Sequence, residues 1–152
     1  LILQFIGDEV EAVFGAPVHR DGHERDAVEA ALDMQSRLKH LNQKFEAAGM
    51  GGLAHGVGIH TGPVLAANIG SVDRSAYSLI GDTVNMASRI QGLNKAFKTD
   101  ILVSQAVRDA LADQYQFRAM DAAHVKGKSD PIRVFSMEND TRLDLTDNDQ
   151  NR

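Results

Sequence analysis

The sequence predicts an α+β fold, in which a sheet is covered by helices on one side. Three observations lead to this class. Short apolar runs occur in pairs around turn residues, as they do in β-hairpins. A long stretch after the first pair repeats apolar residues at spacings of three and four, as a helix does. A Gly-Asp turn then opens a second helical stretch in the middle of the chain.

The first hairpin and the first helix are predicted in the opening third of the chain. Strands are expected at Leu1–Ile6 and Val10–Phe14, because Gly7-Asp8-Glu9 between them favours a tight turn. Glu9 and Glu11 are predicted to face solvent on the second strand. The helix is predicted over Asp21–Ala48, with glycines directly after it. Its apolar stripe would consist of Ala27, Ala31, Met34, Leu38, Leu41 and Phe45.

A second strand pair and a second helix are predicted next. Leu53–Ile59 and Val64–Ile69 are apolar runs that would pair around His60-Thr61-Gly62-Pro63. A loop through Ser71–Ser75 would lead to a helix that ends near Leu93.

The last third of the chain is predicted to add three strands and one helix. Ile101–Val103 forms a short strand, and Ser104 caps a helix from Gln105 to about Ala112. Strands at Phe117–Val125 and Ile132–Met137 then flank a basic loop. After Glu138 the chain is acidic with little to bury, which predicts a disordered tail over residues 139–152.

The composition excludes several classes of protein. The 152 residues suit one domain, with an ordinary 43% of apolar and 24% of charged residues. The absence of cysteine excludes disulfides and thiolate metal sites. A net charge of −5 without a basic stripe argues against a nucleic-acid partner. No apolar run approaches the roughly 20 residues of a membrane span, so a cytoplasmic domain is expected.

Asn85 and Arg89 are the first candidate site residues. They are four residues apart on a predicted helix and therefore lie on one face, one turn apart. An amide and a guanidinium in this arrangement suit a sugar oxygen and a phosphate, the polar parts of a nucleotide. Polar residues in the middle of a helix also commonly face solvent. The local pattern leaves both interpretations open.

Asp8 and the basic loop are further candidates. A carboxylate at a hairpin tip can bind Mg²⁺ together with substrate phosphates, although Gly-Asp also simply forms turns. Lys126-Gly127-Lys128-Ser129 is similar to the end of a P-loop, but Ala122 and Pro131 break that pattern. The loop can still neutralise a triphosphate. The six histidines show no paired metal-ligand spacing.

Five motifs occur along the chain in a specific order: Phe5-Ile6-Gly7-Asp8, Ala12-Val13-Phe14-Gly15, Gly58-Ile59-His60-Thr61-Gly62, Gly81-Asp82-Thr83-Val84-Asn85 and Val125-Lys126-Gly127-Lys128. Together they resemble the class III adenylate/guanylate cyclase catalytic domains. The resemblance covers residues 1–138 and leaves the acidic tail over 139–152 outside it. It implies a ferredoxin-like or palm-like α/β sandwich with a mostly antiparallel sheet and helices on one face.

The resemblance also implies a role for particular residues. Asp8 would be one of two aspartates that bind two divalent ions, Mg²⁺ or Mn²⁺. Asn85 would position the ribose, and Arg89 would stabilise charge on the α-phosphate. Lys126 would contact the terminal phosphates. Class III cyclases form their sites across a head-to-tail homodimer, so Asp8 of one chain would face Asn85 and Arg89 of the other.

Two residues would recognise the base. Gln4 stands where the family often has a lysine that reads adenine, and Ser78 stands at its usual partner position. Both side chains donate and accept hydrogen bonds, so they can read adenine, guanine or a pyrimidine. ATP is favoured, because neither position carries the acidic residue typical of guanylate cyclases.

The predicted function is conversion of ATP to 3′,5′-cyclic AMP and pyrophosphate. Two alternatives stay open: a cyclase that prefers GTP or a pyrimidine nucleotide, and a non-catalytic cyclase-like module that binds nucleotide or dimerises. Because the chain opens inside a strand-like run at Leu1, we expect a fragment of a longer protein. The second metal aspartate, the first strand and its following helices would lie upstream, where a sensor or membrane domain is also compatible with the sequence.

Overall fold

The fold is known from a computed structural model, which describes residues 1–71, 74–121 and 131–138. Lys126 and the tail over 139–152, both singled out in the sequence, lie outside these residues. None of the helices in the described part is both long and apolar enough to cross a membrane. The elements in chain order are β1 (Ile2–Ile6), β2 (Glu9–Ala12), α1 (His23–Ala47), β3 (Val57–Ile59), β4 (Leu65–Ser71), β5 (Arg74–Ile80), α2 (Asp82–Phe97), β6 (Ile101–Ser104), α3 (Gln105–Ala110), β7 (Arg118–Ala119) and β8 (Val134–Met137).

The main sheet has four strands in the order β3-β6-β8-β7. β3 and β6 run parallel, whereas β8 is antiparallel to both of its neighbours. All four residues of β6, Ile101–Ser104, are buried. A strand buried on both faces is expected to be continuously apolar, and Ile101-Leu102-Val103 shows that pattern.

Helices pack on both faces of this sheet, although the sequence predicted helices on one side. Ile101 and Val103 pack in a core with Val28 of α1 and Val107 of α3. Leu102 packs in a second core with Ile90 of α2. Successive side chains of a strand point to opposite faces, so α1 and α3 lie on one face and α2 on the other. The α+β class and the antiparallel character of most strand pairs are confirmed.

Close contact with β3 fixes the position of α2 on the sheet. A Cβ atom on Gly58 would lie 2.3 Å from the backbone N of Gln91 and 2.5 Å from the backbone O of Ala87. The buried Asn94 donates from Nδ2 to the Val57 carbonyl over 2.9 Å. The Thr99 hydroxyl in turn donates to Asn94 Oδ1 over 2.9 Å. These contacts hold the helix that carries Asn85 and Arg89.

Two strand pairs stand apart from the main sheet. β1 and β2 form the predicted first hairpin, and β4 and β5 form a second antiparallel pair. The prediction that Leu53–Ile59 pairs with Val64–Ile69 is wrong, because β3 pairs with β6 and β4 pairs with β5. The sequence predicts a loop through Ser71–Ser75 and no element over residues 76–80, because the polar start of β5 at Arg74-Ser75 obscures the strand pattern.

The helices also differ in detail from their predictions. α2 continues past Leu93 to Phe97, because the buried Asn94 side chain bonds to the sheet and to Thr99. In the predicted apolar stripe of α1, Ala31 is buried, whereas Met34 and Leu41 are exposed. The predicted strands Phe117–Val125 and Ile132–Met137 are found as the shorter β7 and β8, and residues 122–130 lie outside the described part.

Candidate active site

The start of α2 depends on a glycine. Gly81 has φ 146° and ψ 170°, a backbone region that is essentially restricted to glycine. This sharp turn joins the end of β5 directly to Asp82, the first residue of α2. The Thr83 hydroxyl donates to the Pro63 carbonyl over 2.6 Å, which ties the first turn of the helix to the loop before β4.

Asn85 and Arg89 lie one turn apart on α2, as predicted. Asn85 is exposed, whereas the Arg89 side chain is 29% exposed. The Arg89 Nη1 atom is buried, makes no hydrogen bond within the described residues and lies 3.7 Å from Asp82 Oδ1. That separation is an ion pair but too long for a hydrogen bond. The helix therefore carries an arginine whose capacity to donate hydrogen bonds is only partly used.

Asp8 and Gln4 lie on the β1–β2 hairpin. Gly7, with φ 65°, makes the turn, and Asp8 at its tip is exposed. Within the described residues, Asp8 forms no hydrogen bond or ion pair. Gln4 Nε2 donates to Glu11 Oε2 over 2.6 Å across the hairpin. Glu11 is partly buried and bonded to Gln4, so its predicted role as a plain solvent-facing residue is wrong.

Ser78 lies on β5, opposite Ala67, and is partly buried. The predicted residues that the structure describes thus sit on three elements: the first hairpin, β5 and α2. β5 and α2 adjoin through Gly81, whereas the bonds of Gln4 stay within its own hairpin. Within one chain, β5 with Ser78 leads directly into α2, which carries Asn85. The β1–β2 hairpin with Asp8 forms a two-stranded sheet of its own.

The side chains that could bind a divalent metal ion are judged by their donor atoms. Across residues 1–71, 74–121 and 131–138, no three acidic or histidine side chains come together as a metal site. Among the predicted site residues, Asp8 offers exposed carboxylate oxygens, the ligand type that Mg²⁺ and Mn²⁺ prefer. One carboxylate fits an ion that takes its other ligands from substrate phosphates and water.

His60 lies beside α2 in an open cleft of about 380 Å³. Its Nδ1 atom is 2.8 Å from the Ser104 hydroxyl, at the ends of the parallel strands β3 and β6. Burial lowers the pKa of His60, and the nearby Asp82 carboxylate partly opposes that shift. The cleft is lined by His60, Met86, Ser104, Gln105, Ala106, Pro131, Ile132 and Arg133. It places His60 near the first turns of α2.

Sequence reasoning missed three contacts among these residues: Asp82 with Arg89, Glu11 with Gln4, and His60 with Ser104. Asp82 is seven residues before Arg89, a spacing that places both on one helix face and could have indicated the pair. Glu11 faces Gln4 only through the strand register, which the sequence does not specify. The contact between His60 and Ser104 joins residues 44 apart in the chain and carries no local signal.

The fold and these motifs define a nucleotidyl cyclase domain. Residues 3–139 match the profile of the adenylate and guanylate cyclase catalytic domain. The chain belongs to this family.

Relatives and solved structures agree with this assignment. Adenylate cyclase 1 of Rhizobium meliloti (strain 1021) is 37% identical over 136 residues, which are 90% of this chain. Adenylate cyclase of Anabaena cylindrica is 32% identical over 142 residues, 89% of this chain. The crystal structure of the guanylyl cyclase Cya2 superposes with a TM-score of 0.79 at 31% identity, covering 90% of this chain and 68% of that one. The adenylyl cyclase CyaB from P. aeruginosa gives a TM-score of 0.72 at 29% identity, covering 94% and 71%.

The chain spans only part of its curated relatives. It covers 20% of the length of the Rhizobium protein and 27% of the Anabaena protein.

Proposed function

We propose that this chain is an adenylate cyclase catalytic domain that converts ATP to 3′,5′-cyclic AMP and pyrophosphate. The arrangement of Asn85 and Arg89 on α2 carries this proposal, because the guanidinium has a buried Nη1 atom that makes no hydrogen bond within the described part of the chain. An arginine in that state gains strongly from a phosphate that accepts its hydrogen bonds. Membership of the cyclase family and the adenylate cyclases among its relatives support ATP as the source of that phosphate.

Each residue then has a defined task in the reaction. The ribose 3′-oxygen attacks the α-phosphorus, and pyrophosphate leaves. Arg89 donates hydrogen bonds to the α-phosphate oxygens, where negative charge grows in the transition state. Asn85, one turn nearer the helix start, is exposed and can bond to a ribose oxygen. Lys126 neutralises the terminal phosphates, and Gln4 and Ser78 contact the base.

Asp8 would hold the metal ions that the family requires. Two ions, Mg²⁺ or Mn²⁺, supply Lewis-acid stabilisation of the phosphate charge and activation of the attacking hydroxyl when bound. Asp8 suits this task because its carboxylate is exposed and uncommitted within the described residues. The metal identity is part of the proposal.

We propose further that the site forms between two chains arranged head to tail. In support, Asp8 and Arg89 lie on separate elements of one chain, Asp8 at the tip of the β1–β2 hairpin and Arg89 on α2. A two-fold homodimer would bring the Asp8 of each chain to the Arg89 of the other and create two sites.

A cyclase that acts on GTP is the second candidate. The guanylyl cyclase Cya2 is 31% identical to this chain, close to the identity of the adenylate cyclase of Anabaena cylindrica. Overall identity is therefore similar to a guanylyl cyclase and to an adenylate cyclase. We assign the choice of base to the contacts at Gln4 and Ser78.

The test is cyclic nucleotide formation by the full-length protein that contains this domain. ATP, GTP, CTP and UTP are offered separately with Mn²⁺. We expect cyclic AMP from the wild type and a loss of roughly 100-fold or more in Arg89→Ala, as for removal of one transition-state donor. Arg37→Ala is the matched control, since Arg37 is an exposed arginine of α1 that pairs with Asp33 one helical turn away. A folded protein that forms no cyclic product from any nucleotide would instead be a cyclase-like binding module.

A further inference from the structure

Gln4 and Glu11 lie directly opposite each other on the first hairpin. Gln4 Nε2 donates to Glu11 Oε2 over 2.6 Å, a short charge-assisted hydrogen bond. An ionised carboxylate only accepts hydrogen bonds, so its partner must be the amide nitrogen and not the amide oxygen. Glu11 therefore determines which end of the Gln4 amide faces away from β2.

This bond removes an ambiguity that a glutamine normally has. A free amide can rotate by half a turn and present either a donor or an acceptor. With its nitrogen committed to Glu11, Gln4 presents its carbonyl oxygen, which accepts no hydrogen bond within the described part of the chain. Glu11 is partly buried, so water competes for its carboxylate less than at a fully exposed site.

We infer that Glu11 is a specificity-determining residue that selects adenine over guanine by orienting Gln4; this inference rests on the proposed function, in which Gln4 contacts the base. Adenine presents its exocyclic N6 amine, a donor, where guanine presents the acceptor O6. A fixed carbonyl oxygen on Gln4 is complementary to the amine of adenine. The same oxygen faces the O6 of guanine without a proton between them, which disfavours GTP.

The substitution Glu11→Gln isolates this effect. A glutamine at position 11 keeps the size of the side chain, but it can donate to the Gln4 carbonyl as well as accept from the Gln4 nitrogen. Both orientations of Gln4 then become accessible. The matched control is Glu9→Gln, which makes the same charge change on the same strand, opposite Ile6 and away from Gln4.

The experiment compares ATP and GTP with the full-length wild type, Glu11→Gln, Glu9→Gln and Gln4→Ala. Two quantities are measured: the ratio of kcat/KM for the two nucleotides, and their equilibrium dissociation constants by calorimetry. We expect the ATP/GTP ratio to fall by about tenfold in Glu11→Gln, as for loss of one charge-assisted hydrogen bond. Glu9→Gln should keep the wild-type ratio, and Gln4→Ala should lose discrimination as well.

The remaining outcomes overturn the inference or separate it from the proposed function. An unchanged ratio in Glu11→Gln would show that Glu11 does not orient Gln4. A wild type that prefers GTP and loses this preference in Glu11→Gln would show that the carboxylate reads guanine itself. If no cyclic product forms, the cyclase proposal fails, and the dissociation constants for ATP and GTP still test the orientation of Gln4.

Discussion

The Arg89 guanidinium lies 3.7 Å from the Asp82 carboxylate, two helical turns nearer the start of α2. Side chains on a helix lean towards its N-terminus, so Arg89 reaches back past Asn85 towards Asp82. Because the gap is too long for a hydrogen bond, the carboxylate attracts the guanidinium by charge, and Nη1 makes no hydrogen bond to the described residues. We therefore expect Asp82 to position Arg89.

Neutralising this carboxylate should therefore affect the chemical step more than binding. In Asp82→Asn we expect kcat to fall roughly threefold to tenfold, since a half-exposed ion pair contributes little more. The KM for ATP should not rise, because a negative charge near the substrate phosphates is removed at the same time. Asp82→Glu should restore most of kcat. Steady-state kinetics with ATP measure both constants.

Asp33→Asn provides the control for this experiment, because it breaks an exposed Asp-Arg pair on α1 far from these residues in the chain. A rise in KM at constant kcat in Asp82→Asn would contradict the positioning role. It would show that Asp82 supports binding only.

Close packing of α2 on β3 should make Gly58 intolerant of a side chain. Gly58→Ala places a Cβ within 2.3 Å of the Gln91 backbone N, which the helix can relieve only by moving. We expect a loss of about 1–3 kcal/mol or more in the free energy of unfolding, measured by urea denaturation. Activity should fall as well, because α2 carries Asn85 and Arg89.

Gly92→Ala is the matched control on the same helix. Apart from the backbone of α2 itself, no atom of the described residues lies within 4 Å of a Cβ at Gly92, so alanine there should stabilise the helix by about 0.5–1 kcal/mol. Equal effects of the two substitutions would refute the packing argument.

The half-buried His60 should make the fold less stable in mild acid. Burial lowers its pKa in the folded state, whereas the unfolded chain keeps a pKa of about 6.5. Below that pH the unfolded state takes up a proton first, so the contribution of His60 is fully present above about pH 6.5 and is lost as the pH falls towards the lowered pKa. The wild type should lose more stability between about pH 7.5 and pH 5.5 than His60→Asn does.

Urea midpoints at the two pH values give this difference directly. The asparagine retains a group that can bond to the Ser104 hydroxyl, so the comparison isolates the titration. Parallel pH dependence in the two proteins would assign the acid sensitivity to other groups.

Local patterns predicted the parts of the fold that depend on near neighbours. The first hairpin followed from Gly7-Asp8, and the alignment of Asn85 with Arg89 followed from their spacing on one helix. The partner of β3 could not be predicted in the same way. Val57–Ile59 pairs with Ile101–Val103, 44 residues later, and the two strands pack together against α1 and α2.

The site could be predicted only in part for the same reason. The candidate residues came from motifs, whereas the contacts that orient them depend on three-dimensional structure. Glu11 bonds to Gln4 through strand register, and a one-residue shift of that register would turn the two side chains to opposite faces. The roles of Gln4, Asp8, Ser78, Asn85, Arg89 and Lys126 remain predictions.

The central claim is a cyclase site shared between two chains, and complementation of two inactive variants tests it most directly. Asp8→Ala and Arg89→Ala should each be inactive as homodimers, since each lacks one half of every site. Mixed in equal amounts, they should regain about a quarter of wild-type cyclic AMP formation, because half of the dimers then carry one intact site of two. A mixture that stays as inactive as its components, while the two variants demonstrably form heterodimers, would contradict the shared site.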